Sequence, residues 1–151
     1  MADESYKKIV FRLKQDEDGY PPDTWESLWA YETEPGQYTI DNIPFYVKNI
    51  SSGDVVAVDQ DGTELRFQKL VQASTNSVFR LYFSDLSDVK AIRQRLRHLG
   101  CESEQSHIPK LIAVEIPGTV SIEPVARLFD EGAESGRWEY EEGVLRHTIA
   151  A

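Results

Sequence analysis

The amino-acid sequence predicts an α+β protein whose N-terminal half is β-rich and whose C-terminal half alternates strands with helices. Short runs of β-branched and aromatic residues, separated by turn residues, follow one another from residue 8 to residue 71. Clear helical periodicity starts only after residue 84. With 151 residues, 40% of them hydrophobic, the chain suits one domain or two small ones. We therefore predict a β-rich subdomain at 1–76 and an α+β subdomain at 77–151, and leave open whether they pack as one unit.

The first half is predicted to form a small β-barrel-like sheet or a bent antiparallel sheet. A strand at residues 8–13 is followed by an acidic loop at 15–22, which two prolines close. Trp25, Leu28 and Trp29 follow at helical spacing, but the segment also suits a strand, so both interpretations stay open. Pro35-Gly36 predicts a hairpin turn. Further strands are predicted at 38–40, 45–47, 55–58 and 63–71.

The second half is predicted to be ferredoxin-like, with the element order βαββαβ. Its first helix repeats apolar residues at steps of three and four from Leu86 to Leu99 and ends at Gly100. A second helix is expected to begin at an N-cap, Ser121, and to end at Gly132. The third of the four strands is the most apolar and is therefore expected to be central. The strands are predicted at 78–83, 102–108, 110–116 and 137–142.

The charge balance is strongly acidic, with 26 acidic and 16 basic residues and a net charge of −10. Because phosphate contacts need a surplus of Lys and Arg, direct binding of nucleic acid or of an anionic membrane is not expected. Residues 2–8 lack the apolar stretch of a secretory leader, and no apolar run has membrane-spanning length. The single cysteine, Cys101, fits a reducing compartment. We therefore expect a cytoplasmic protein.

The sequence lacks the common catalytic and metal-binding motifs. It has no Gly-x-Ser-x-Gly elbow, no His-Glu-x-x-His and no pair of cysteines. The histidines His98, His107 and His147 are assigned to a helix end, an edge segment and the end of the chain, where none is expected to activate a nucleophile. Asp59, Asp61 and Glu64 lie around Gly62, but their spacing lacks the distal bidentate glutamate of a calcium loop and indicates a plain turn. We predict no catalytic residue, no metal and no cofactor.

Acidic residues interleaved with aromatic residues form the most suggestive pattern for binding. Aromatic side chains anchor protein interfaces, and surrounding carboxylates steer a cationic partner towards them. The opposite arrangement, with the aromatics in the core and the acids in solvent, is equally open. The candidate partner-binding residues are Asp16, Glu17, Asp18, Tyr20, Trp25, Trp138, Glu139, Tyr140, Glu141 and Glu142.

Basic residues cluster on the predicted first helix. Lys90, Arg93 and Arg97 share one face of this helix, and Arg95 lies to the side. This face suits an anion or an acidic surface of a partner. A solvated helix face is the simpler interpretation, because the helices of such folds cover the sheet with their apolar side.

Three segments of the first half are distinctive as a set: Trp29-Ala30, then Tyr38-Thr39-Ile40-Asp41-Asn42-Ile43-Pro44-Phe45, then Gly53-Asp54-Val55-Val56. They resemble a family of small, uncharacterised bacterial proteins that carry a domain of unknown function. The likeness spans residues 8–144 and includes Gly100 and Trp138. The family has a Ser-Gly-His element where this chain has Ser74-Thr75-Asn76, so no family histidine is carried over. The resemblance implies a bacterial source and supplies no activity.

We expect a non-enzymatic bacterial immunity or inhibitor protein. Its acidic surface would occlude the active site of a basic protein partner, a cognate toxin, such as one acting on nucleic acid or nucleotides. A small-ligand-binding regulatory module is the alternative, because ferredoxin-like domains bind effectors at sheet edges or helix–sheet interfaces. An enzyme with a dispersed acidic site, at Asp41, Asp54 and Glu115, is the second alternative.

Overall fold

The computed structural model describes residues 6–148, and its internal contacts divide the chain into two units, 1–74 and 75–151. Each described part has its own hydrophobic core. The observed class is α+β, with two mostly antiparallel sheets and two short α-helices. The expectation that no leader precedes the fold concerns residues 2–8, most of which lie outside the described residues.

Unit 1 is built on a five-stranded sheet. Consecutive strands pair antiparallel, and the first strand also pairs in parallel with the fifth, so that the sheet closes on itself. Alternate residues such as Ile9, Phe11, Leu28 and Ala30 face the core, as the two-residue period of strands requires. The strands are β1 (Tyr6–Arg12), β2 (Trp25–Glu34), β3 (Gln37–Ile40), β4 (Val55–Asp61) and β5 (Glu64–Gln72).

Strand β2 decides between the two interpretations of the Trp25 segment. Leu28 and Ala30 are buried, whereas Trp25 and Trp29 are exposed, which is the alternation of a strand with one wet face. The helical spacing of three apolar residues was therefore misleading. Two of those residues lie on the outer face of the sheet and only one belongs to the core.

Residues 45–47 do not form the strand that their apolar character predicts. The backbone N–H groups of Phe45, Tyr46 and Val47 all donate to the carboxylate of Glu26, at 2.7, 3.0 and 2.8 Å. Three consecutive N–H groups that converge on one carboxylate cannot alternate between two sides as a strand ladder requires. The segment is instead a loop that Glu26 of strand β2 holds in place.

Unit 2 has the element order that the sequence predicts. A four-stranded antiparallel sheet, in the order β7-β8-β6-β9, carries two helices, and the apolar strand β8 is internal to it. Within residues 6–148, no helix has the length and apolar character needed to cross a bilayer. The elements are β6 (Ser77–Phe83), α1 (Val89–His98) after a short 3₁₀ turn, β7 (Glu102–Gln105), β8 (Leu111–Ile116), α2 (Glu123–Glu134) and β9 (Trp138–Val144).

Helix α2 runs past Gly132, so the predicted stop at this glycine is wrong, and its N-cap is Ile122, not Ser121. Gly132 is instead a packing position, because the Trp138 indole lies against it. A β-carbon at position 132 would come within 1.8 Å of Trp138 Cζ2. The indole N–H donates to the Phe129 carbonyl oxygen at 3.1 Å, which fixes the ring over the helix.

We predict that Gly132→Ala lowers the free energy of unfolding by about 1–3 kcal/mol, because the added methyl group overpacks the core. Helix propensity alone would give the opposite sign, since Ala is favoured over Gly by about 1 kcal/mol inside a helix. Urea unfolding measures the effect. The control is Ala133→Gly at the exposed neighbouring position, which should cost about 1 kcal/mol. A stabilised Gly132→Ala protein would contradict the packing described here.

Candidate functional site

The acidic loop of unit 1 is ordered by one of its own carboxylates. Asp16 Oδ1 accepts the backbone N–H groups of Asp18 and Tyr20, both at 2.9 Å. The Asp16 N–H donates to the Tyr20 carbonyl oxygen at 2.7 Å, and Gly19 supplies the positive φ of 78° that the turn needs. Asp16 therefore has a structural role, and the exposed side chains of Glu17 and Asp18 are presented on a defined loop.

A groove of about 530 Å³ lies beside this loop. Tyr20 and Tyr46 meet edge to face in it, with ring centroids 6.1 Å apart, and Tyr20 stays 41% exposed. The groove therefore depends on the loop that Glu26 holds, because Tyr46 belongs to that loop. Its lining is Phe11, Arg12, Leu13, Lys14, Asp16, Tyr20, Pro21, Tyr46, Val47, Lys48, Asn49, Ile50, Phe67 and Leu70.

Trp25 lies in a second, smaller recess of about 350 Å³. The recess also holds Asp59 and Asp61, and the Trp25 ring is 43% exposed. Two guanidinium groups flank the ring, with Arg12 Cζ at 5.7 Å and Arg66 Cζ at 5.8 Å from its centroid. Such cation–π contacts contribute about 0.5–1 kcal/mol each at exposed sites and help to hold the ring in place.

The two recesses are adjacent, because Arg12 and Phe67 line both. Together they form one surface of unit 1 that carries exposed aromatics and carboxylates, with four cations among its lining residues, Arg12, Lys14, Lys48 and Arg66. We name its aromatic and acidic members the aromatic–acidic surface and define them as Asp16, Glu17, Asp18, Tyr20, Trp25, Asp59 and Asp61.

The sequence did not point to Asp59 and Asp61 as part of this surface. It predicts only a turn there, and the turn is observed. What brings the two carboxylates to Trp25 is pairing between distant strands: Arg12 is opposite Trp25, and Asp59 is opposite Arg66. Strand register of this kind depends on tertiary packing and leaves no local signal.

The candidates on strand β9 belong to unit 2, and one of them is corrected. Trp138 is only 2% exposed and packs edge to face on Phe83, so its side chain is a core residue and cannot anchor a partner. Tyr140 is exposed, and its hydroxyl donates to the Asp130 carboxylate, which raises the pKa of that phenol. The interpretation that places aromatics in the core therefore holds for Trp138.

The glutamates of β9 keep the exposure that the alternating pattern predicts. Glu139 and Glu142 are exposed, and Glu141 is intermediate. Glu141 Oε1 lies 4.0 Å from Nη1 of the buried Arg80. These residues flank the exposed Tyr140, whose hydroxyl is already bonded to Asp130, and the strand has no exposed tryptophan, so they are weaker candidates than the aromatic–acidic surface.

Cys101 is buried, and desolvation, followed by the charges of Glu115 and Glu102, raises the pKa of its thiol to about 12. The thiol is therefore protonated at neutral pH and is no nucleophile. His147 is more ordered than its place near the chain end predicts. Its Nδ1 lies 2.6 Å from Ser77 Oγ, and its Nε2 lies 2.9 Å from the Pro117 carbonyl oxygen. Ser77 is completely buried, so this pair joins segments of unit 2.

Two of the three dispersed acids, Asp54 and Asp41, accept hydrogen bonds within the fold. Asp54 is buried and accepts the N–H groups of Ser51 and Ser74, at 2.9 and 2.8 Å. Asp41 accepts the hydroxyl of Tyr6. Glu115 is part of strand β8 in unit 2. Across residues 6–148, no three His, Cys, Asp or Glu side chains are grouped so that they could hold a metal ion.

The model of a protein family, the domain of unknown function DUF4265, matches residues 26–140. This range includes most of unit 1 and both helices of unit 2. The chain belongs to the DUF4265 family. The resemblance to an uncharacterised domain family is thereby confirmed.

A solved structure shares the fold of this DUF4265 protein. It is described as a hypothetical protein from Neisseria gonorrhoeae, with a TM-score of 0.77 and 19% sequence identity, and the match covers 96% of this chain and 97% of the other. At this identity the likeness shows the fold alone. No curated protein matches the chain.

We predict that Cys101 resists alkylation in the native state. At pH 8 a thiol with a pKa of about 12 is almost entirely protonated, and the Cys101 side chain is only 1% exposed. Iodoacetamide labelling at pH 8, followed by mass spectrometry, should be roughly 100-fold slower in buffer than in 8 M urea, the denaturant being the control. Native labelling at the denatured rate would show that the thiol is accessible.

We predict that Glu26→Ala destabilises unit 1 by about 2 kcal/mol or more, because three backbone N–H groups lose a charged acceptor. Glu26→Gln, which keeps one acceptor oxygen, should cost less. Glu34→Ala, at an exposed position of the same strand, is the matched control and should change stability by less than about 0.5 kcal/mol. Urea unfolding and amide exchange at residues 45–47 are the measurements. Unchanged exchange in Glu26→Ala would contradict this role.

Proposed function

We propose that this protein is a non-enzymatic immunity or inhibitor protein that binds a basic protein partner through the aromatic–acidic surface of unit 1. The observation that carries the proposal is the placement of two exposed aromatic side chains, Tyr20 and Trp25, in adjacent recesses, beside the exposed carboxylates of the loop at 16–18 and of strand β4. Exposed aromatics rimmed by charge are typical of interface anchors. A cognate toxin with a cationic active-site cleft is the partner that this chemistry suits.

The distribution of charge supports the choice of unit 1. Residues 1–74 contain 14 acidic and seven basic residues, whereas residues 75–151 contain 12 and nine. Most of the surplus negative charge therefore belongs to the unit that carries the exposed tryptophans, Trp25 and Trp29. Arg66 also lines the Trp25 recess. Its Nε lies 2.7 Å from Glu64 Oε2 and its Nη2 lies 3.2 Å from Asp61 Oδ2, so its positive charge and those two carboxylates offset one another. A net charge of −7 on unit 1, from 14 acidic and seven basic residues, favours association with a cationic protein.

The order of the acidic loop supports the proposal as well. Asp16 fixes the loop before any partner binds, and Glu26 fixes the segment that carries Tyr46. A surface that is already ordered loses less conformational entropy on binding. Tight inhibition of an enzyme needs such a preformed surface, because a 1 nM complex requires about 12 kcal/mol of net binding free energy.

The direct test co-expresses the protein with the product of the adjacent reading frame, and measures rescue of growth and formation of a complex. Growth rescue and a stable complex are expected. In surface plasmon resonance, Glu17→Lys with Asp18→Lys should slow association about tenfold at low salt and leave dissociation nearly unchanged. Trp25→Ala should weaken affinity about 30-fold, which corresponds to the loss of about 2 kcal/mol of binding free energy from this side chain.

Two matched variants serve as controls. Trp29→Ala removes another exposed tryptophan from the same face of β2, and Glu139→Lys with Glu142→Lys reverses two charges on unit 2. Both should leave binding within about twofold of the unmodified protein. Absence of both complex and rescue would refute the proposal. Equal losses in the controls would refute the assignment to this surface.

We infer in addition that unit 2 is a ferredoxin-like domain. Its element order βαββαβ and its antiparallel strand order β7-β8-β6-β9 support this inference, because the split βαβ pattern places the third strand between the first two. Helix α1 follows β6 and helix α2 follows β8, as that pattern requires.

A further inference from the structure

Helix α1 is strongly basic in an acidic protein. Its ten residues include Lys90, Arg93, Arg95 and Arg97 and contain no Asp or Glu. The pairs 90/93 and 93/97 are neighbours on the helix surface, and like charges at such spacings cost a few tenths of a kcal/mol each. Within residues 6–148, Lys90, Arg93 and Arg97 form no ion pair that would offset this repulsion. The repulsion lowers the stability of the free helix, and an anion would relieve it.

These three cations open onto one cavity between helix α1 and the edge strand β7. The cavity measures about 550 Å³, which lies in the range of small-molecule sites. Three cationic side chains, two amides and a hydroxyl line it together with apolar groups, and no carboxylate does. The lining residues are Leu86, Val89, Lys90, Arg93, Gln94, Arg97, Cys101, Ser103, Gln105 and Pro109.

Arg93 is held in position by the edge strand. Its Nε donates to Ser103 Oγ at 2.9 Å, and its Nη2 donates to the Ser103 carbonyl oxygen at 2.9 Å. A guanidinium group has five N–H donors, so three remain for a ligand after these two bonds. Gln105 is held as well, since its Nε2 donates to the Pro109 carbonyl oxygen at 2.7 Å. Two polar side chains of the cavity are therefore held in position before any ligand binds.

We propose that this cavity binds a small phosphate-bearing ligand. Arg93 supplies a planar, pre-oriented set of donors for phosphate oxygens, and Lys90 and Arg97 supply two further positive charges. Leu86, Val89 and Pro109 provide an apolar wall for the organic part of such a molecule. This site lies in unit 2, so it is independent of the inhibitor function proposed for unit 1.

Isothermal titration calorimetry with inorganic pyrophosphate, at constant ionic strength, tests the proposal. One saturable site per chain is expected. Lys90→Gln with Arg97→Gln should weaken binding at least about tenfold, because two of three cations are lost. The matched control, Arg95→Gln with Arg127→Gln, removes the same charge from exposed positions outside the lining and should stay within about twofold. A parallel titration with AMP shows whether an organic phosphate enters the same cavity.

Circular dichroism and thermal unfolding of all variants verify that they fold, since the substituted side chains are exposed. Failure of pyrophosphate to saturate a site by about 10 mM would overturn the proposal. An equal loss of affinity in the control variant would also overturn it, because binding would then follow net charge and not this cavity.

Discussion

The carboxylate of Glu26 is the contact on which the candidate surface of unit 1 depends. It collects three consecutive backbone N–H groups of residues 45–47 and so replaces the strand pairing that this segment lacks. Backbone donors left without an acceptor are costly when they are removed from water. The carboxylate removes that cost and sets the position of Tyr46, which in turn meets Tyr20 in the groove. A single residue of strand β2 thus connects the closed sheet to the candidate surface.

Other carboxylates of unit 1 also accept backbone N–H groups and so order its irregular segments. Asp16 closes the acidic loop, and the buried Asp54 holds the N–H groups of Ser51 and Ser74. Several acidic residues of a chain with a net charge of −10 therefore act as acceptors within the fold and are not available to a partner. The carboxylates that remain exposed beside Tyr20 and Trp25 are the smaller set that a cationic protein would meet.

Much of the fold could be predicted from local patterns. The helix from Val89 and the apolar strand β8 have strong periodicity and composition, and both lie where the sequence predicts them. The errors occur where tertiary contacts override local preference. Residues 45–47 are apolar but are held by Glu26, and Gly132 lies inside a helix because the Trp138 ring needs the space. The secondary-structure propensities of single residues contain no information on either contact.

The candidate site was only partly predictable for the same reason. The loop at 16–20 and Trp25 could be identified from composition. Trp138 has acidic sequence surroundings like those of Trp25, but its side chain is buried in the core. Asp59 and Asp61 reach Trp25 only through strand register. The most direct test of binding through the aromatic–acidic surface is amide hydrogen exchange of this protein, free and in complex with its basic partner. Protection confined to residues 16–25, 45–47 and 59–61 is the predicted result. Protection confined to strand β9 or helix α1 would contradict it.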